Sequence, residues 1–107
     1  MSIHIARGHS DAGIEQINAV LKGYEHDHPR AVIDIYRQNS VSVRIRIIDP
    51  DFRGLERSER HERVWKYLEK LPDEAQADVS MLVPLCPDET EKSFANLEFD
   101  DPLPSRF

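Results

Sequence analysis

The chain is predicted to fold as one α+β domain of order α-β-β-α-β(-α), a three-stranded mixed sheet with helices packed on one face. Three observations lead there. Residues 31–49 hold two runs in which apolar and polar residues alternate, the pattern of half-buried strands. Segments on either side of those runs place apolar residues three and four apart, the pattern of amphipathic helices. A nearly unbroken apolar run, "MLVPLC", follows the second of them. Stripes and strand faces of this kind bury each other as helices laid on a sheet.

The elements follow in order. Ser10 and Asp11 offer N-cap oxygens, and Ile14, Ile17, Leu21 and Tyr24 recur at helical spacing with Val20 beside them, so a helix is expected over 11–24. Pro29 ends it, because the residue before a proline disfavours the helical region. In "RAVIDIYRQ", Ala31, Ile33 and Ile35 share a face. In "SVSVRIRIID", Val41, Val43, Ile45 and Ile47 share one face, with Ser42, Arg44 and Arg46 on the other. "QNS" suits a tight hairpin, since Asn39 tolerates positive φ. Asp49-Pro50 closes the second strand. Ser58 is the expected N-cap of the next helix, with Glu59 in its first turn. His61, Val64, Trp65, Leu68 and Leu71 form its stripe, and Pro72 stops it. "DVSMLVPLC" reads as a third strand buried on both faces, with Pro84 at a bulge or an edge. It returns through a helix, so it can run parallel to one of its neighbours. "PDETEKSF" opens a short last helix.

Length sets the domain count. At 107 residues, divided as a flexible 1–10, a domain over 11–90 and an acidic tail over 91–107, there is room for one modest core. A hydrophobic fraction of 39% with 32% charged residues is a soluble balance, without an apolar run of membrane-spanning length. The first residues lack an apolar h-region, so no signal peptide is expected. Cys86 is the single cysteine, which excludes an intrachain disulfide and points to the cytoplasm. The net charge is -6, which opposes non-specific nucleic-acid binding. Residues 30–66 nevertheless carry nine Lys/Arg against six Asp/Glu, so a local basic face is possible.

The stretch "DFRGLERSERHERVWKYL" carries the strongest motif. Phe52-x-Gly54, five residues and then Arg60-His61-x-x-Val64 link the second strand to the main helix. Gly54 is expected to supply a backbone conformation that a side chain resists, and Phe52 to anchor the loop in the core. Two readings stand for the basic residues. Arg60 hydrogen-bonds loop carbonyls while His61 packs on the apolar stripe, or Arg53, Gly54, Arg57, Arg60 and His61 face a partner.

This spacing resembles the BolA family, whose members show F-x-G-x5-R-H-x-x-V between the second strand and the main helix. The resemblance covers roughly residues 11–90. It implies a fold like the class II KH domain and a small regulatory protein, non-enzymatic and without a catalytic site. It also implies pairing with monothiol glutaredoxins in iron–sulfur trafficking, or a link to transcription. BolA-like proteins place a histidine cluster ligand near the start of the last strand and a Cys or His in the loop between the first two strands. Here those regions read Asp78-Val79-Ser80-Met81 and Arg37-Gln38-Asn39-Ser40, with neither residue. The glutaredoxin partner and the cluster are therefore disfavoured, and no cofactor is expected.

Arg44 and Arg46, with Arg37, form either a basic strip that contacts nucleic acid weakly or a solvated face paired with Asp34. His26-x-His28 with Asp27 could hold a divalent metal, but a closed site needs four ligands, so no metal site is expected. His4 and His9 fall in the flexible start. Cys86 reads as a buried, inert thiol. Phe94, Leu97, Phe99, Leu103 and Phe107 in the tail either cover the domain or form an interaction motif. A protein partner is the leading expectation. A homodimer is left open, and no membrane association is expected.

Overall fold

A computed structural model describes residues 3–6 and 12–89, of residues 4–6 the backbone alone. Among them, four strands form one sheet in the order β1-β2-β3-β4: β1 (Ile3–Ala6), β2 (Val32–Asn39), β3 (Ser42–Ile48) and β4 (Val79–Leu85). β2 and β3 are an antiparallel hairpin, while β1 runs parallel to β2 and β4 parallel to β3. The helices are α1 (Ala12–Asp27), α2 (Arg57–Leu68) and α3 (Asp73–Asp78). The α+β class and the α-β-β-α-β layout stand as expected.

β1 is an addition. Ile3–Ala6 falls in the stretch expected to be flexible, but these residues pair with Ile33–Tyr36. Four residues are too few to read as a strand alone, and the free edge of β2 is what orders them. The proposed caps Ser10 and Asp11 lie outside the described residues.

α1 buries Ile14, Ile17, Leu21 and Tyr24, the predicted stripe. It runs to Asp27, and His28 N–H still reaches the Tyr24 carbonyl at 2.8 Å before Pro29. The hairpin pairs Asn39 with Ser42, leaving Ser40 and Val41 as a two-residue loop. Asn39 Oδ1 accepts the Val41 N–H at 2.9 Å. Val41 therefore does not share the inward face of Val43, Ile45 and Ile47. It sits in the turn and is 66% exposed.

Asp49 ends β3 and caps a 3₁₀ turn at Pro50–Phe52, its Oδ1 accepting the Asp51 N–H at 2.9 Å. The N-cap of α2 is Glu56, not Ser58. Glu56 and Glu59 form a capping box, with Glu59 Oε1 accepting the Glu56 N–H at 3.4 Å. The inward face of α2 is Arg60, Val64 and Leu68. His61 and Trp65, expected on that face, lie outside the buried row. Pro72 does not stop α2, which ends at Leu68; it is the N-cap residue of α3, a helix absent from the sequence reading. Proline's fixed φ suits a helix entry, and Ala75 of α3 joins the core.

β4 occupies one end of the described sheet, which accommodates Pro84 opposite Ile47. Burial on both faces holds for Val83–Cys86, while Val79–Leu82 are half-buried or exposed. One core joins α1, α2 and α3 to Ile33, Ile35, Val43, Ile45 and Ile47. By strand alternation the opposite face carries a smaller cluster of Tyr36, Val83 and Leu85 beside Met81. Of the expected last helix, Pro87–Glu89 forms a 3₁₀ turn; its remaining residues and the tail's aromatic residues lie outside the described residues. Among the described residues, no helix is long and apolar enough to cross a membrane.

Candidate functional site

The loop between the 3₁₀ turn and α2 holds the motif residues. Gly54 has φ +82°, a left-handed conformation that side chains resist, and no atom lies within 4 Å of where its Cβ would stand. The constraint is thus backbone strain without a clash. Gly54→Ala is expected to cost about 1–2 kcal/mol, and Gly54→Asn less, because asparagine visits this region more readily. Denaturant midpoints check this; an unchanged Gly54→Ala midpoint would remove the strain argument.

The five candidate partner residues separate. Arg60 turns inward and is 9% exposed. Its Nε donates to the Leu55 carbonyl at 2.9 Å and its Nη1 to the Pro84 carbonyl at 3.3 Å. Its fork closes on Glu89, at 2.6 and 3.2 Å, and Nη2 lies 3.7 Å from Cys86 Sγ. The guanidinium sits 5.8 Å from the centroid of the Phe52 ring. Arg60 is therefore a tie between α2, the loop and the end of β4, and it leaves the partner set. Its hydrogen bond to Glu89 is the first reason that carboxyl is pulled down to about 2, with the Cys86 N–H assisting.

Arg53, Gly54 and Arg57 stay outside, Arg53 meeting Asp88 at 3.4 Å in an exposed pair worth little. His61 is half-buried, and burial, followed by the Arg57 charge, depresses its pKa. The imidazole is thereby biased to its neutral form. Arg57, His61 and Trp65 are spaced i, i+4 and i+8 and so line one side of α2. Trp65, the single tryptophan of the chain, is 36% exposed there. Helical spacing places Trp65 in the expected core stripe, but the rotation that brings Arg60 inward puts it on the surface.

The arginine strip also separates. Arg44 and Arg46 share the sheet face opposite the helices, but Arg37 follows the parity of Ile33 and Ile35 and reaches Asp78 at the end of α3, 3.6 Å away. Arg44 donates to Gln38 at 2.8 Å and lies over the Tyr36 ring at 6.0 Å. Arg46 is held by Asp34 at 2.7 and 3.0 Å. Each arginine of the strip already has a polar partner in the chain, so phosphate would have to displace it.

His26 and His28 do not converge. His26 is exposed on α1, whereas His28 turns towards Asp49 and Asp51. Asp49 is fully buried and accepts the Tyr24 hydroxyl at 2.7 Å. Burial and that carboxylate together push the Tyr24 hydroxyl far above the ordinary phenol range. Asp51 pairs with Arg30 at 2.9 Å, and the His28 hydrogen bond is the first cause of its lowered pKa. In the sequence Asp49 only closes the second strand, and Asp51 carries no assigned role. The only hint was "DPD", two carboxylates flanking a turn-forming proline. Cys86 is buried, and burial raises its thiol pKa, the opposite of an activated thiolate.

No family model, curated protein or solved structure matches the chain.

Proposed function

We propose that the chain is a small, non-enzymatic interaction module of BolA-like type that works in the cytoplasm through one side of α2. The observation that carries this reading is the Arg57–His61–Trp65 row beside the Gly54 loop, with Trp65 36% exposed among polar residues on that side of the helix. Tryptophan and arginine dominate the binding energy of protein interfaces, because each offers a large, rigid contact area. The F-x-G-x5-R-H-x-x-V spacing and the element order support the family assignment. The paired state of Arg44 and Arg46 favours a protein partner over nucleic acid.

The test uses nuclease-treated lysate of the native organism and the immobilised chain. A protein retained by the wild type and by Arg44→Glu/Arg46→Glu is expected to be lost by Trp65→Ala, with binding at least roughly tenfold weaker for a truncated hot spot. Retention that needs nucleic acid, or that survives Trp65→Ala unchanged, would overturn the reading. A monothiol glutaredoxin is the first purified partner to try. Its iron–sulfur absorption and circular dichroism are expected to stay unchanged on mixing, because the usual ligand positions hold Asn39, Ser40, Val79 and Ser80, none a good iron ligand.

A further inference from the structure

A second constellation lies away from that helix face, where the end of α1 meets the end of β3. His28 follows α1, Asp49 follows β3, and Asp51 sits in the 3₁₀ turn. His28 Nδ1 is 3.5 Å from Asp49 Oδ2 and 3.0 Å from Asp51 Oδ2. One ligand atom from each of the three residues lies within 4.8 Å of the others. A cation about 2.0–2.1 Å from each donor needs donors roughly 3.3 Å apart in a tetrahedral site, so both nitrogen–oxygen spacings fit.

The donors are also oriented by contacts that a cation would leave intact. Asp49 Oδ1 accepts the Asp51 N–H at 2.9 Å, and Asp49 Oδ2 accepts the Tyr24 hydroxyl at 2.7 Å. Asp51 Oδ1 is held by Arg30 Nη2 at 2.9 Å, which leaves Oδ2 turned to His28. The His28 ring stacks on Tyr24 with centroids 4.4 Å apart. Outer contacts of this kind fix ring and carboxylate orientation in metal sites. Asp49 is fully buried and His28 half-buried, while Asp51 faces solvent and provides an entry side.

We propose that His28, Asp49 and Asp51 bind a divalent transition-metal cation, Zn²⁺ fitting the donor set best, with water completing the coordination. One imidazole nitrogen and two carboxylate oxygens form a three-ligand open set, and mixed nitrogen and oxygen donors suit Zn²⁺ above Mg²⁺. Coordination through Nδ1 takes the place of the His28–Asp51 hydrogen bond. A neutral imidazole bound through Nδ1 carries its proton on Nε2, and the two carboxylates balance the charge of the cation. Arg30 and Arg63, the latter donating to the Asp51 carbonyl at 3.3 Å, are the nearby positive charges that limit affinity.

The experiment titrates the full chain with Co²⁺, read by visible absorption, and with Zn²⁺, read by thermal melting and calorimetry, with Mg²⁺ as the control. A saturable one-to-one Co²⁺ spectrum is expected, displaced by Zn²⁺, together with a Zn²⁺-dependent rise in melting temperature that Mg²⁺ does not produce. His28→Ala and Asp51→Asn should each weaken binding at least tenfold, and His26→Ala should leave it unchanged. Asp51→Asn keeps the size of an exposed side chain, so its loss of binding can be read on a folded protein. No saturable spectrum, a signal that survives both variants, or one lost in His26→Ala would overturn the proposal.

Discussion

Arg60→Met is expected to lower the unfolding free energy by roughly 3 kcal/mol. Breaking a buried ion pair costs about 3–5 kcal/mol because the remaining charge is left uncompensated. Glu89 is 40% exposed and can rehydrate, which places the cost at the low end. Methionine keeps the apolar stem over Phe52 but leaves the Leu55 and Pro84 carbonyls without their donor. Denaturant unfolding with an unchanged m-value checks this. A loss under about 0.5 kcal/mol, the scale of ordinary surface changes, would return Arg60 to the partner-facing set.

The same variant should change the acid limb of stability. Glu89 is held down to about 2 in the folded chain against an ordinary value of 4.5. Its folded pKa is depressed, so its contribution is complete above about 4.5 and is lost as pH falls towards 2. In Arg60→Met, that part of the fall in stability between pH 4.5 and 2 should shrink, leaving only what the Cys86 N–H maintains.

Phe52→Ala is expected to cost about 3–5 kcal/mol, the range for truncating a buried aromatic side chain. Phe52 is fully buried, tilted against Tyr24 at 6.3 Å and beneath the Arg60 guanidinium. Its removal opens a cavity where α1, the 3₁₀ turn and α2 meet, and none of them can collapse without moving the others. Phe52→Leu should cost less than half as much, because most of the volume remains. Melting curves for both variants check the ranking; equal costs would mean that the ring geometry matters more than the space it fills.

Much of the core was legible in the sequence. The stripe Ile14, Ile17, Leu21 and Tyr24 and the alternation of Ile33, Ile35, Val43, Ile45 and Ile47 are all buried as their periods require. Period and side-chain class are local properties, and a strong period leaves one way to bury the apolar face. Gly54 was legible for the same reason, since a glycine between strand and helix signals a backbone need, and φ +82° meets it.

The candidate sites were less legible. α2 is polar on most sides, so its weak pattern allowed either His61–Trp65 or Arg60–Val64 to point inward. The choice fell to Glu89 and the Pro84 carbonyl, 29 and 24 residues further along, which satisfy a buried guanidinium. Arg37 was placed with Arg44 and Arg46 by charge, and strand parity then put it on the other face beside Asp78.

Burying apolar surface at a fixed period needs no knowledge of neighbours, so the class of each main element and the core residues of α1, β2 and β3 follow from local pattern. The tertiary structure alone decided the rotation of α2, the exposure of Trp65, the pairing of β1 and the meeting of His28 with Asp49 and Asp51. Each of these depends on a partner distant in the chain, and a polar group tolerates burial only where such a partner arrives.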